Sequence, residues 1–114
     1  MFHARLFATD PKYRDKMFKP CKEDRPLTVQ FAANDPEYLL EAAKLVQDHC
    51  DAIDINCGCP QAIAKRGNYG AYLLEQPDLI VSLVEKIHSS PEIRVPITVK
   101  IRCLPSEQET LDLV

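Results

Sequence analysis

PLTVQFAANDPEYLLEAAKLVQDHCDAIDIN, residues 26–56, places two short runs of strand formers on either side of one amphipathic helix. Pro26 to Phe31 is apolar and follows the turn-like KEDRP of residues 22–26. Asp35 stands where a carboxylate caps a helix, and Pro36 takes the first helical position, where a missing N–H costs nothing. Leu39, Ala42, Ala43, Val46 and Cys50 recur at helical spacing, and Ala52 to Asn56 begins a second strand. A helix between two strands is the crossover that returns the chain to the same end of a sheet. The strands therefore pair in parallel, and the class is α/β.

The same alternation continues outward. A long loop, CGCPQAIAKRGNYG, leads to Gln76-Pro77-Asp78, which opens a helix with Ile80, Leu83, Val84 and Ile87 on one stripe. Pro96 to Arg102 is a further strand, and Ser106 with Glu109 forms a capping box that announces another helix. Strands covered by only two complete helices leave apolar surface and sheet edges open, so the expectation is a piece of a larger wheel. A doubly wound sheet and a (β/α)8 barrel both satisfy this pattern. No internal repeat or Gly/Ser linker divides the 114 residues.

Bulk properties exclude some functions. No apolar run is long enough to span a bilayer, and the N-terminal MFHARLFATDPKYRDK lacks the uninterrupted core of an export signal. Five cysteines, an odd number beside apolar patterns, fit reduced thiols, so an intracellular site, cytoplasmic or nuclear, is expected. A net charge of −3 is not that of a protein gripping nucleic acid by electrostatics alone. RNA contact would need a local patch, for which Lys12, Arg14, Lys16 and Lys19, and then Lys65 and Arg66, are the candidates. A solvated surface is the plainer reading of those runs.

In a parallel α/β fold the active site lies at the C-terminal ends of the strands. There the sequence places Gln30 on one strand, Asp54 and Asn56 on the next, and Lys100 and Arg102 on the last. Residues two apart share a face, so several strands aim polar groups at one region. Burying a lysine or arginine without a partner costs several kcal/mol. A bound anion or polar ligand would offset that, as would pairing with Asp54 or an outward orientation. No Gly-x-Gly-x-x-Gly and no P-loop is present.

Asp54-Ile55-Asn56-Cys57-Gly58-Cys59-Pro60 carries the most chemistry. Cys59 falls just past a strand end on a turn set by Gly58 and Pro60, where a thiol faces a ligand instead of the core. With a reference pKa of about 8.5, a thiol at neutral pH is a proton donor; Lys65 and Arg66 nearby in sequence would favour a thiolate nucleophile instead. Cys57 reads as a small buried hydrophobe. A C-x-C metal site is not expected, because no second pair follows and His3, His49 and His88 are scattered.

DAIDINCGCPQAIAKRGNYGAYLL, residues 51–74, resembles the signature of the dihydrouridine synthases, with D-x-N-x-G-C-P from Asp54 to Pro60 and then the KRG-x-YGA stretch. EDRPLTVQFAANDPE and PITVKIR point to the eukaryotic branch acting on tRNA D-loop positions 16/17. The resemblance covers essentially the whole chain. It implies an incomplete TIM (β/α)8 barrel, from the end of strand 2 to the start of helix 5, with residues 1–114 as a partial FMN-binding domain truncated at both ends. MFHARLF would be the tail of the second strand and its loop.

The same resemblance implies FMN as cofactor, NAD(P)H as reductant, tRNA as substrate and no metal or membrane. It makes Cys59 the general acid that protonates C5 of uracil. Gln30 and Lys100 would hold the flavin, Asn56 and Arg102 the substrate base, and Lys65 and Arg66 would lie on a tRNA-facing loop. Cys57 departs from the family, which generally has an apolar residue there. The alternatives are another flavin-dependent barrel oxidoreductase of the dihydroorotate dehydrogenase type, or a non-catalytic fragment that binds RNA or a partner. The isolated fragment is expected to be inactive.

Overall fold

The computed structural model describes residues 1–114 and contains one sheet of four parallel strands in the order β1-β2-β3-β4, where β1 is Phe2–His3, β2 Thr28–Ala32, β3 Ala52–Cys57 and β4 Ile97–Ile101. Helices α1 (Ala4–Thr9) and α2 (Pro11–Met17) follow β1, α3 (Pro36–Val46) follows β2, and α4 (Ala62–Gly67) and α5 (Pro77–His88) follow β3. After β4 comes α6 (Glu107–Leu113). Consecutive parallel strands joined through helices form an arc of a TIM (β/α)8 barrel.

The caps follow the sequence. Asp35 Oδ1 accepts from Glu37 N at 2.9 Å and Tyr38 N at 3.3 Å, starting α3 with Pro36 in its first turn. Ser106 and Glu109 complete the reciprocal capping box of α6. Two segments differ from expectation. Residues 4–9, which include most of MFHARLF, are helical rather than loop, because Ala4 and Phe7 bury themselves while the good helix formers Arg5 and Leu6 face outward. The long connection after β3 is also ordered, into α4 and a 3-10 segment over Gly70–Glu75.

Alternation divides the sheet into two faces. Val29, Phe31, Ile53, Ile55 and Cys57 point to the helices and are buried, with Leu39, Ala43, Val46, Leu83 and Ile87 packed above them. Burying such side chains stabilises by about 1.5–3 kcal/mol each. Phe7 meets Phe31 edge-on at 5.2 Å and Phe2 at 5.6 Å, and Phe18 meets Phe2 at 5.7 Å, which ties the N-terminal helices to β1 and β2. Asp51 accepts from Arg25 Nε at 2.6 Å, Arg25 Nη2 at 2.8 Å and Leu27 N at 2.7 Å, fixing the entry of β2 beside that of β3. An apolar groove lined by Val81, Val84, Val99, Ile101 and Leu113 also lies on the helical side.

Candidate functional site

The opposite face of the sheet is polar. Register sets Gln30 beside Asp54, Asp54 beside Thr98, and Asn56 beside Lys100, so these side chains emerge on one side, which the helices do not cover. All but Lys100 form a continuous hydrogen-bonded chain. Asp54 is buried, at 8% exposure. Its Oδ1 accepts from Thr98 Oγ1 at 2.6 Å, and its Oδ2 accepts from Gln30 Nε2 at 2.6 Å. Gln30 Oε1 accepts from Asn56 Nδ2 at 3.0 Å, and Asn56 Oδ1 accepts from the backbone N–H groups of Gly58 at 3.2 Å and Cys59 at 2.9 Å.

That last pair fixes the cysteine loop. Cys59 is partly buried just beyond β3, its amide is held by Asn56, and its carbonyl accepts from Ala71 N at 2.9 Å. Gly70 closes this approach with φ +67, and a Cβ on it would stand 2.6 Å from Cys59 O. Only glycine takes that conformation without strain, and only glycine leaves the room. Asn68, at φ 52, caps the end of α4 and accepts from Gln76 Nε2 at 2.8 Å. Tyr69 is thereby folded inward. It packs with Ala32 and Ala64 next to Cys59, and its ring stands edge-on to His3 at 5.5 Å.

His3 lies on β1 opposite Ala32 and so shares the polar face. Its Nδ1 is buried and makes no hydrogen bond, and burial, with the Arg5 charge second, holds the imidazole below the usual histidine range. On the helical side, burial first and the Asp54 charge second push the Cys57 thiol up to about 11. All five cysteines are free thiols.

The site residues expected from the sequence thus fall into three groups. Cys59, Gln30, Asn56 and Lys100 converge on the polar face. Lys100 is exposed and makes no ion pair with Asp54, whose oxygens are taken by Gln30 and Thr98. Arg102 lies just past β4 and bends back, its Nε donating to the Gly58 carbonyl, so it clasps the cysteine loop from the other side. Lys65 and Arg66 sit in the last turn of the short helix α4, exposed to solvent, rather than on a loop. Thr98, Tyr69 and Gly70 escaped the sequence reading, which took His3 only as one of three scattered histidines. Thr98 was accessible to it, being two residues before Lys100 on the same strand, whereas the approach of Gly70 to Cys59 depends on how the loop folds back.

The arrangement gathers the cysteine loop, an amide with unspent hydrogen-bonding capacity and a lysine outside any ion pair at one end of the sheet. Gln30 keeps one amide hydrogen and one lone pair, and Lys100 is engaged by no carboxylate. This donor set fits a planar heteroaromatic group with oxygen and nitrogen edges. No three His, Cys, Asp or Glu side chains gather as a metal site would need, and no helix is long and apolar enough to cross a membrane.

The chain matches the dihydrouridine synthase family model over residues 1–114. It is 50% identical over 114 residues to a Schizosaccharomyces pombe protein named tRNA-dihydrouridine(16/17) synthase, covering 98% of this chain and 28% of that protein. It is 52% identical over 115 residues to the Saccharomyces cerevisiae protein of the same name, covering 98% and 27%. Identity to a mouse protein named tRNA-dihydrouridine(20a/20b) synthase-like is 41% over 114 residues, covering 99% and 35%. The chain thus spans little more than a quarter of the length of the two yeast relatives. With one family model covering every residue, and with the D-x-N-x-G-C-P run at the mouth of a parallel arc, the chain belongs to the dihydrouridine synthase family.

Proposed function

We propose that this chain supplies the central strands, and the proton donor, of an enzyme that reduces uridine in tRNA to 5,6-dihydrouridine at D-loop positions 16/17. The family is one of flavin enzymes; the flavin would be FMN, which when bound would supply the hydride for C6 of the uracil, with NAD(P)H as the reductant. The observation that carries the reading is the placement of Cys59 beside Gln30, Asn56 and Lys100 on the uncovered face of the sheet.

Each residue then has a distinct task. Gln30 and Lys100 would hold and orient the flavin ring, one through its spare amide groups and the other through its ammonium donors. Cys59 Sγ delivers a proton to C5, and its fixed backbone keeps that proton on one side of the base. Arg102 keeps the loop closed through Gly58 and would also meet the base. Lys65 and Arg66, in the last turn of α4, offer the phosphate backbone a local patch in a chain of net negative charge. The base must leave its stack to reach the thiol.

The test is Cys59→Ala in a chain carried to the length of its relatives. The variant should keep its yellow flavin and lose at least about 100-fold in dihydrouridine formation, the usual size of a proton-transfer contribution. Undiminished turnover would remove Cys59 from the reaction.

A further inference from the structure

We propose that Asp54 is the positioning residue for the whole polar face: it fixes which way the Gln30 amide points and, through Gln30 and Asn56, the register of the loop that carries Cys59. This rests on the function proposed above only in taking Cys59 and Gln30 as the groups that need positioning. The geometry behind it stands apart from that reading.

A carboxylate accepts hydrogen bonds and donates none, whereas a backbone N–H only donates. Asp54 closes one end of the chain of contacts, and the Gly58 and Cys59 amides close the other. Between them stand two side-chain amides, each of which can be turned over. Only one arrangement satisfies both ends. Gln30 must offer its nitrogen to Asp54 at 2.6 Å, which leaves its oxygen for Asn56 at 3.0 Å. Asn56 must then offer nitrogen to Gln30 and oxygen to the loop.

The consequence for a ligand is definite. The Gln30 amide hydrogen left over is a donor of set direction, held at the floor of the site by a buried acid whose second oxygen is occupied by Thr98 at 2.6 Å. Asp54 makes no hydrogen bond to Cys59 itself. It acts through its neighbours.

An exchange of acceptor and donor tests this. Gln30→Glu sets carboxylate against carboxylate at the Asp54 contact and breaks the chain there. Adding Asp54→Asn restores it with the roles reversed, since the amide nitrogen now at position 54 donates to the new carboxylate, which still accepts from Asn56. Side-chain size and net charge match the original pair. Amide hydrogen exchange at Gly58 and Cys59, followed without flavin or tRNA in a chain carried to the length of its relatives, should quicken about fivefold to tenfold in Gln30→Glu, as loss of one hydrogen bond implies. It should return to within about twofold of the original in the double variant. In a chain of full relative length, dihydrouridine formation should fall and recover in the same order.

A double variant no better than Gln30→Glu, whether because it exchanges as fast or because it stays unfolded, overturns the proposal. So does a Gln30→Glu chain that exchanges like the original. If instead the exchange pattern holds while Cys59→Ala retains full turnover, Asp54 keeps its positioning role and the reaction assigned to Cys59 is lost.

Discussion

Gly70→Ala should loosen the cysteine loop while leaving the main core between sheet and helices in place. The new Cβ would lie 2.6 Å from Cys59 O, 3.1 Å from Cys59 Cβ and 3.2 Å from Ala64 Cβ. The first contact is with backbone that cannot retreat, because the Cys59 amide is tied to Asn56. Residue 70 also has φ +67, which costs an alanine about 1–2 kcal/mol. Relief requires the loop to swing away, giving up the 2.9 Å bond from Ala71 N to Cys59 O, worth about 1 kcal/mol. The sum of about 2–3 kcal/mol falls on local opening of residues 59–71 and corresponds to about 30- to 150-fold faster exchange of the Ala71 amide. Exchange read residue by residue by NMR measures it, with amides of α3 as the internal control. A change below about threefold at Ala71 would refute the idea that Gly70 is the closing contact of the site.

Three further outcomes concern pH. The Cys57 thiol, raised to about 11, should be the last of the five cysteines to be alkylated at pH 8, where roughly a thousandth of it is ionised; peptide mapping that finds it labelled alongside Cys21 and Cys103 would contradict its burial. The same thiol makes the fold lose stability as pH rises from about 9 toward 11, because the unfolded chain gives up that proton first. Asp51 behaves in the opposite sense: Arg25, and then the Leu27 N–H, hold its carboxyl below the usual carboxylate range, so its contribution is present above about pH 4 and lost on acidification. The difference in urea midpoint between Asp51→Asn and the unchanged chain should shrink from pH 6 to pH 3, and a constant difference would show that the pair does not stabilise the fold.

Much of this was legible because local and global signals agree. Asp35-Pro36, Gln76-Pro77 and Ser106 with Glu109 mark helix starts through chemistry confined to four residues, and all three helices begin there. Asp10-Pro11 carries the same signal, which the sequence reading passed over, and starts α2, with Asp10 Oδ1 accepting from Lys12 N at 3.0 Å. Alternation on β2, β3 and β4 gave the shared face of Gln30, Asn56 and Lys100, since period two is a property of any strand. Partner choice was hidden. Gln30 and Thr98 reach Asp54 across 24 and 44 residues of sequence, and nothing within any one strand says that Asp54 spends its charge on amide and hydroxyl groups instead of on Lys100. The inward fold of Tyr69 over Gly67 depends likewise on a left-handed Asn68, one of many turns the loop composition allows.

Because Asn56 grips the amide of Cys59 and Ala71 its carbonyl, the residue keeps a single soft degree of freedom, rotation about its own Cα–Cβ bond. The sulfur can sweep a short arc and go nowhere else. On the function proposed above, a molecule that is to take its proton must therefore do the searching, arriving at the right height and tilt over a stationary donor. Under that proposal, discrimination between one pyrimidine and another falls on whatever steers the incoming nucleotide rather than on the thiol.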